Sequence, residues 1–426
     1  MKRAAIKKAM HEKGIAEVFV YSVCRCLSKF YLHVFGRIFQ RYGKICPRRI
    51  VFKNRQQQDV TDNARALYEY LLENGYNEKY QIVWLVSDPN AFRDKQSSKV
   101  RFVKAESKHG YSSLRAYYYG ATAAYFFYTN NTADLNRFRC KGQITVNLWH
   151  GCGYKGATRK KNDIPRSKTM EWFDYALVPG PVFVKTKADY WDCPKEKVLP
   201  LGLPRYDWML DSRNRKKDFL EKIFQWKDKN TKLILWMPTF RQSSLNGYAE
   251  AEIELPYILP SLEREEDLEE INHMCEKYDL LLVIKKHPLQ TGWAKEPKEY
   301  SHVRYVSDEM LKQMDIPLYR LVGVADALLS DYSSIAVDFL LLDRPLGYVL
   351  TDYEIYAQKR GFIFEHPLDY MPGEHIYQKE DLEKFLLHIA QGMDVCQKKR
   401  HACLPQMHCV RTQYRKNILD YFHITK

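Results

Sequence analysis

Cysteine-based metal and disulfide patterns are missing from this chain of 426 residues. Its ten cysteines include no C-x-x-C pair, and neither Cys24 with Cys26 nor the set Cys396, Cys403 and Cys409 has the spacing of zinc ligands. Low-complexity tracts and internal repeats, beyond a general similarity of the two halves, are missing as well. We therefore expect reduced thiols, a cytoplasmic compartment and an ordinary globular fold.

Excess positive charge is scarce outside the N-terminus. The net charge is +15, and residues 1–55 carry fourteen Lys and Arg against two Glu, which leaves only +3 for the other 371 residues. Nucleic-acid-binding proteins more often carry their basic residues on the folded domain, among groups that read or stack on bases. The distribution predicts a basic partner-binding segment at the N-terminus and no nucleic-acid partner.

The N-terminal segment lacks the marks of a spanning helix or a cleaved signal. It has no stretch of 18 uncharged apolar residues and no A-x-A-like cleavage site. Arg25, Lys29, His33 and Arg37 recur every four residues in a mostly apolar run, so on a helix they form one polar stripe. We predict that residues 1–45 form a basic amphipathic segment lying on an anionic membrane surface. The alternative is an N-terminal helix packed on the protein's own core.

The rest of the chain predicts two α/β domains. Strand-like apolar runs alternate with helical patterns from Ile50 onward, which favours mostly parallel sheets covered on both faces. A second array of the same kind begins after Arg205. We predict a first domain over residues 50–205, a second over 206–395 and a C-terminal helix within 396–426.

A strand-turn-helix pattern near residue 331 is typical of a phosphate site. The apolar run that ends at Leu329 is followed by Asp331, Ser333 and Ser334, and then by apolar residues at helical spacing. All three polar residues can cap a helix, so hydroxyls and free backbone N–H groups would collect at the end of a buried strand. Taken alone, the pattern is more often a capped helix with no ligand.

Two histidines also follow predicted strands. His150 lies in N-L-W-H-G-C-G-Y-K, where glycines let the backbone approach a ligand, and a histidine so placed can accept a proton from a hydroxyl. His287 lies in K-K-H-P beside Lys285, whose charge could neutralise phosphate, and Arg241 ends P-T-F-R after a third strand. A single histidine is more often structural. Together, these strand-end groups on two facing domains predict a cleft enzyme for an anionic nucleotide substrate.

The order of the motifs resembles the CDP-glycerol glycerophosphotransferases, which are teichoic acid primases and polymerases. The resemblance covers about residues 50–390 and rests on seven motifs: W-H-G at 149–151, G-x-P-R-x-D at 202–207, P-T-F-R at 238–241, H-P at 287–288, D-Y-S-S-x-x-x-D at 331–338, D-R-P at 343–345, and R-G-F at 360–362 with a later P-G. It implies a GT-B fold, with two facing Rossmann-like domains, and peripheral attachment to the inner face of the bacterial membrane.

The resemblance also implies roles for residues. His150 would be the general base, and His287 would bind the donor phosphates with Ser333 and Ser334. We assign four further residues to the donor side, Arg241, Asp331, Lys285 and Arg360, and two to the acceptor side, Lys155 and Arg205.

Three positions depart from the family pattern. Cys152 and Gly153 replace the usual Thr and Pro after W-H-G, and Tyr206 replaces the usual Asn after G-x-P-R. We expect these residues to face the acceptor.

The leading hypothesis is transfer of a polyol phosphate from a CDP-activated donor to a hydroxyl of a lipid-linked polymer acceptor, releasing CMP. No D-x-D triplet occurs in the sequence, which disfavours a metal-bridged diphosphate, and we expect no cofactor. The alternatives are a GT-B glycosyltransferase that uses a nucleotide-sugar and a non-catalytic membrane-associated scaffold. The sequence leaves open glycerol against ribitol, primase against polymerase, and the oligomeric state.

Overall fold

Two parallel β-sheets organise the chain. The computed structural model describes residues 14–54, 60–106, 113–129, 139–156, 173–228, 230–239, 241, 255, 257, 259–287 and 298–426. Within these residues one sheet has seven strands and the other has six. We call the seven-stranded sheet with its helices the first domain, and the six-stranded sheet with its helices the second domain.

The first domain follows a long N-terminal helix. Its elements, with that helix, are α1 Ile15–Tyr42, β1 Cys46–Lys53, α2 Asp62–Glu73, β2 Gln81–Val86, β3 Val100–Lys104, α3 Leu114–Thr122, β4 Ala123–Tyr128, β5 Ile144–Asn147, β6 Tyr175–Leu177, α4 Val182–Trp191 and β7 Val198–Leu199. The strand order is β3-β2-β1-β4-β5-β6-β7, and every pair is parallel. β1 lies between β2 and β4, where Ile50 is in register with Ile82 and Tyr125.

The second domain repeats this plan. Its elements, with the helices on either side, are α5 Tyr206–Asp211, α6 Lys216–Phe224, β8 Lys232–Trp236, α7 Glu265–Lys277, β9 Leu280–Lys285, β10 Val303–Val306, α8 Asp308–Gln313, α9 Leu318–Val324, β11 Ala327–Ser330, α10 Ser334–Phe339, β12 Leu346–Val349, α11 Tyr353–Lys359, β13 Glu374–Ile376, α12 Lys379–Ala390, α13 Gln397–Met407 and α14 Tyr414–Tyr421. The strand order is β10-β9-β8-β11-β12-β13, and β8 and β11 are parallel. The chain adds strands toward one edge of the sheet from β8 to β10 and toward the other edge from β11 to β13. Ligands of open α/β sheets bind at such a switch point, beyond the carboxyl ends of the strands.

The apolar runs of the sequence form strands because they are buried on both faces of each sheet. All six residues of β9 are buried, as expected for a parallel sheet between helices. The predicted strand, turn and helix near Asp331 are confirmed as β11, a turn and α10.

The predicted C-terminal helix is wrong in its extent, because the structure has two helices there, α13 and α14. Pro405 lies inside α13, two residues before the helix ends at Met407.

The C-terminal helices return to the first domain. The carboxylate of Asp207 accepts hydrogen bonds from the backbone N–H groups of Tyr414 (3.0 Å) and Arg415 (2.9 Å). The ring of Phe422 lies 6.2 Å from that of Phe127 in β4. The end of the chain is therefore part of the core around the first sheet.

Helix α1 presents three different faces. Leu32 and Gly36 lie on a narrow buried face, and Phe39 contacts the rings of Tyr117 and Tyr118 in α3, both at 6.1 Å. The predicted polar stripe runs beside this face. The face that points away from the protein is apolar and exposed, with Ile15, Phe19, Val20, Val23, Leu27, Phe30, Val34 and Ile38. By length and composition alone α1 could also cross a membrane, since it is long and mostly apolar and little of it is buried in the protein. Residues 1–13 of the predicted segment lie outside the described part.

Candidate active site

The turn after β5 places His150 in solvent. Trp149 adopts φ 52°, a left-handed conformation that costs a bulky residue about 1–3 kcal/mol. Its N–H donates to Asn147 Oδ1 (2.9 Å), and its carbonyl accepts from Asn63 Nδ2 (2.9 Å). These bonds hold the turn, so the indole of Trp149 is buried while His150 is exposed.

The glycines after His150 allow this loop to touch the second domain. A Cβ atom on Gly151, which has φ 122°, would lie 2.7 Å from Ser334 Oγ. A Cβ atom on Gly153 would lie 2.7 Å from the backbone N of Ser334. No side chain fits at either distance, so glycine is required for the approach. The candidate base and the candidate phosphate turn are thus brought to one place.

Further backbone contacts join the same loop to the second domain. Gly156 N donates to Gly361 O (2.8 Å), and Ile363 N donates to Tyr154 O (2.9 Å). The buried hydroxyls of Tyr154 and Tyr348 lie 2.8 Å apart. The R-G-F motif therefore pairs through its backbone with residues 150–156, which we call the H-G loop. Within that motif, the Nε and Nη1 atoms of Arg360 are buried.

Arg205 links the two domains behind His150. Its Nη2 donates to His150 O and to Asp338 Oδ2, both at 3.0 Å, and its Nη1 donates to Asp62 Oδ1 at 2.7 Å. The guanidinium lies 4.0 Å from the ring centroid of Tyr319. Burial lowers the pKa of Arg205, but Asp62 and Asp338 outweigh burial and hold this pKa well above its ordinary value. Arg205 therefore carries its charge in a buried network, and its predicted contact with the acceptor stays a prediction.

The departures from the family pattern lie between the domains, and the expectation that they face the acceptor stays a prediction. The Cys152 side chain is buried, and burial raises the pKa of its thiol to about 12. The hydroxyl of Tyr206 is buried and donates to Asp338. Gly153 packs on the backbone of Ser334. The sequence alone did not show which residues meet across the cleft.

Asp331 and Arg241 fix the turn after β11. The Asp331 carboxylate accepts from Thr239 N (2.9 Å) and Thr239 Oγ1 (2.6 Å), and it lies 3.0 Å from Arg241 Nη2. Arg241 Nε also donates to Asp352 Oδ2 at 2.6 Å, and both side chains of the Arg241–Asp331 pair are buried. These contacts give both residues a role in holding the turn. Their contact with a donor phosphate stays a prediction.

Ser333 and Ser334 begin α10 without using their hydroxyls as caps. Ser333 is the N-cap residue, and its side chain makes no capping hydrogen bond. Both serines are partly exposed. Their position between Asp331 and the H-G loop leaves two hydroxyls available to a ligand in the cleft.

His287 follows β9 of the second domain, as the serine turn follows β11, and it is near enough to Lys155 to feel its charge. Burial is the largest cause that lowers the pKa of His287 to about 4, and the positive charges of Lys155 and Lys285 lower it further. The imidazole is therefore neutral at pH 7 and can donate one N–H. Lys285 is itself buried and ion-paired with Asp308 at 2.8 Å, so its direct contact with phosphate stays a prediction. Pro288 of the H-P motif lies outside the described residues.

Sequence reasoning missed several groups that build the site. Asn63 and Asp62 come from the start of α2, and Tyr319 comes from α9. No local pattern marks them, because each acts through a partner far away in the chain. Lys187 was missed for the same reason. Its ammonium lies 4.8 Å from the ring centroid of Trp149.

The family described as CDP-glycerol:poly(glycerophosphate) glycerophosphotransferase matches residues 37–411. The chain belongs to this family. The resemblance drawn from the motifs is thus confirmed, and this glycerophosphotransferase is an enzyme of that class.

Characterised relatives support the assignment. The teichoic acid poly(glycerol phosphate) polymerase of Bacillus spizizenii is 27% identical over 355 residues, which cover 78% of this chain and 82% of the relative. The teichoic acid ribitol-phosphate primase of the same organism is 24% identical over 364 residues. This match covers 82% of this chain and 85% of the primase. Among solved structures, the wall teichoic acid polymerase TagF superposes with a TM-score of 0.70 at 19% identity, covering 96% of both chains. The last match confirms the predicted fold of two facing α/β domains.

Proposed function

We propose that this glycerophosphotransferase transfers glycerol phosphate or ribitol phosphate from a CDP-activated donor to a hydroxyl of a lipid-linked cell-envelope polymer. The observation that carries the proposal is the contact between the H-G loop and the Ser333–Ser334 turn. The proposed proton acceptor and the proposed phosphate-binding turn belong to different domains, which touch here through Gly151 and Gly153. A similar solved structure, that of TagF, was determined after soaking with CDPG.

The proposed reaction needs no covalent help from the protein. The acceptor hydroxyl attacks the β-phosphorus of the donor, and its proton passes to His150. A bond forms between the acceptor oxygen and this phosphorus while the bond to the CMP oxygen breaks, so CMP leaves with the electron pair. Phosphoryl transfer depends mainly on position and on stabilisation of charge. Ser333, Ser334 and the neutral His287 would donate hydrogen bonds to the diphosphate, and Lys155 would lie on the acceptor side.

A donor panel tests this proposal. The full-length enzyme would receive CDP-glycerol, CDP-ribitol or one of several nucleotide-sugars, together with vesicles that hold a lipid-linked glycerol phosphate acceptor. We expect CMP release only with a CDP-polyol, and an acceptor heavier by one or more polyol phosphates. Sugar transfer would establish the glycosyltransferase alternative. No transfer from any donor would favour a scaffold.

We further propose that the enzyme is peripheral on the cytoplasmic face of the bacterial membrane, held by α1. The helix packs on the first domain along one face, so it lies along the protein surface, and the opposite apolar face is exposed. Phe19 and Phe30 are 66% and 71% exposed, far more than core residues are. Lys29 and Arg37 are also exposed beside this face. Each basic residue near an anionic surface contributes about 1 kcal/mol, and the aromatic rings would enter the acyl boundary.

Vesicle binding tests the location. The pair of changes Phe19→Asp and Phe30→Asp should strongly reduce sedimentation with phosphatidylglycerol vesicles, because both introduce charge into the exposed apolar face that would enter the membrane. A matched control is the pair Ile355→Asp and Tyr377→Asp, both 48% exposed on the second domain, which should leave binding unchanged. Equal binding by both variants would contradict membrane docking through α1. Binding should weaken as salt screens the basic residues, but not vanish.

A further inference from the structure

Lys187 of α4 lies beside the candidate base. Its ammonium is 4.8 Å from the ring centroid of Trp149, 5.0 Å from that of Tyr190 and 5.9 Å from that of Trp191. The ring centroid of Trp149 is in turn 4.0 Å from that of His150. One indole therefore contacts both the ammonium and the candidate base. The ammonium and the imidazole centroid are for this reason no more than about 9 Å apart.

The surroundings of Lys187 orient its charge without neutralising it. Aromatic faces attract a cation, but they offer no full negative charge and no strong acceptor for its three N–H donors. In the described ranges, no carboxylate lies within ion-pairing distance of Lys187. The nearby Lys185 differs, because it pairs with Asp189 at 2.6 Å. Lys187 is also only partly exposed, so an anion bound there would be screened less than on an open surface.

The position of Lys187 separates it from the donor site. The groups expected to hold the donor diphosphate, Ser333, Ser334 and His287, all belong to the second domain. Lys187 belongs to the first domain and lies on the same side of the cleft as His150. An anion that contacts Lys187 would therefore accompany the nucleophile, which His150 is proposed to deprotonate.

We propose that Lys187 binds the phosphate of the acceptor that lies nearest to the attacking hydroxyl. This inference rests on the proposed function, in which the growing end of the acceptor is a polyol joined to a phosphodiester. The attacking hydroxyl and that phosphate are then separated by one polyol, and the Lys187 ammonium and the His150 ring both pack on Trp149. Binding the phosphate would place the terminal hydroxyl at His150. Lys187 is thus a specificity-determining residue for acceptors that end in a polyol phosphate.

Two substitutions and one control test Lys187. Lys187→Met keeps an unbranched stem against the rings but removes the charge, and Lys187→Arg keeps the charge. Lys185→Met is the control, since it removes a charge from the same helix at an exposed, paired position. Each full-length enzyme would be assayed with CDP-glycerol and two synthetic acceptors, one ending in glycerol phosphate and one ending in glycerol without the phosphate.

A charge-assisted hydrogen bond accounts for a change of at least about tenfold in affinity. We therefore expect Lys187→Met to raise the KM for the phosphorylated acceptor at least tenfold while the KM for CDP-glycerol stays within twofold. The KM for the phosphate-free acceptor should not change. Lys187→Arg should restore most of the loss, and Lys185→Met should behave as the unchanged enzyme. The preference of the unchanged enzyme for the phosphorylated acceptor should fall as salt rises.

Equal losses with both acceptors would overturn the inference, because they would show that Lys187 only supports Trp149. An unchanged KM for the phosphorylated acceptor would overturn it as well. Equilibrium binding of the phosphorylated acceptor, followed by tryptophan fluorescence in the presence of CMP, separates this inference from the proposed function. Tenfold tighter binding by the unchanged enzyme than by Lys187→Met, without any transfer, would refute the transferase proposal and support the anion site. Transfer by the unchanged enzyme, with identical binding of the acceptor by both enzymes, would support the transferase proposal and refute the anion site at Lys187.

Discussion

Replacing Asp338 with Asn tests whether the buried network around Arg205 holds the two domains together at the site. The Asp338 carboxylate is inaccessible to solvent and accepts hydrogen bonds from Arg205, Tyr206 and Tyr319. Asn has nearly the same volume, but its amide offers one acceptor oxygen and adds two donor hydrogens. At least one of the three donors would then face another donor in a buried site.

The expected magnitude follows from these contacts. Removing one partner of a buried ion pair costs about 3–5 kcal/mol, because the other charge remains buried without compensation. Here Asp62 stays 2.7 Å from Arg205 and still offsets part of its charge. We therefore expect Asp338→Asn to lower the free energy of unfolding by about 3 kcal/mol, the lower end of that range. The kcat should fall too, since Arg205 also holds the carbonyl of His150.

Urea unfolding, followed by circular dichroism and tryptophan fluorescence, measures the first effect, and CMP release without urea measures the second. Asp218→Asn is the matched control, because Asp218 pairs with Arg215 at 3.2 Å on the surface. Exposed pairs contribute about 0.2–1 kcal/mol, so the control should change the free energy of unfolding by less than 1 kcal/mol. The reasoning fails if Asp338→Asn behaves like this control in both assays.

Three further predictions concern the histidines and the serine turn. His150→Ala should lower kcat at least about a hundredfold with little effect on donor binding, and His150→Gln should do the same; turnover within tenfold of the unchanged enzyme would rule out a general base. The double change Ser333→Ala and Ser334→Ala should weaken binding of CDP-glycerol by about 2 kcal/mol in calorimetry, and unchanged affinity would leave the turn a structural feature. Burial lowers the pKa of His287 and of His408 to about 4, so the unfolded chain binds protons at higher pH than the folded one. The contribution of each neutral histidine to the free energy of unfolding is therefore complete above pH 6.5 and is lost as the pH falls toward 4. At pH 5 the loss is about 2 kcal/mol for each histidine. Between pH 7.5 and pH 5.0, the free energy of unfolding measured in urea should fall less for His287→Gln than for the unchanged enzyme. An equal fall in the two proteins would contradict the lowered pKa of His287.

Local sequence patterns predicted the frame of the site well. Each apolar run is buried on both faces of a sheet, and the polar residue that follows it must lie at the carboxyl edge. For this reason the sequence predicts His150, His287 and Ser333 at strand ends, where the structure has them. Their meeting at one cleft also follows from two parallel sheets that face each other.

Charge pairing could not be predicted in the same way. Arg241 and Asp352 are 111 residues apart, and Arg205 and Asp338 are 133 apart. A strand-end arginine looks the same in sequence whether it binds a phosphate or a buried aspartate. Tertiary packing decides between these partners, within the second domain for Arg241 and between the two domains for Arg205.

The return of the C-terminal helices sets an order for the folding of the newly made chain. Ile418, Leu419, Phe422 and Ile424 are buried in the large cluster that contains the strands of the first sheet, although about two hundred residues of the second domain are synthesised before them. Domains usually fold as units during synthesis, starting from the N-terminus. Here the first sheet emerges from the ribosome early but stays without part of its core until residues 414–424 arrive. We therefore expect the second domain to complete its fold first, and the nascent first domain to expose apolar surface to chaperones during that interval.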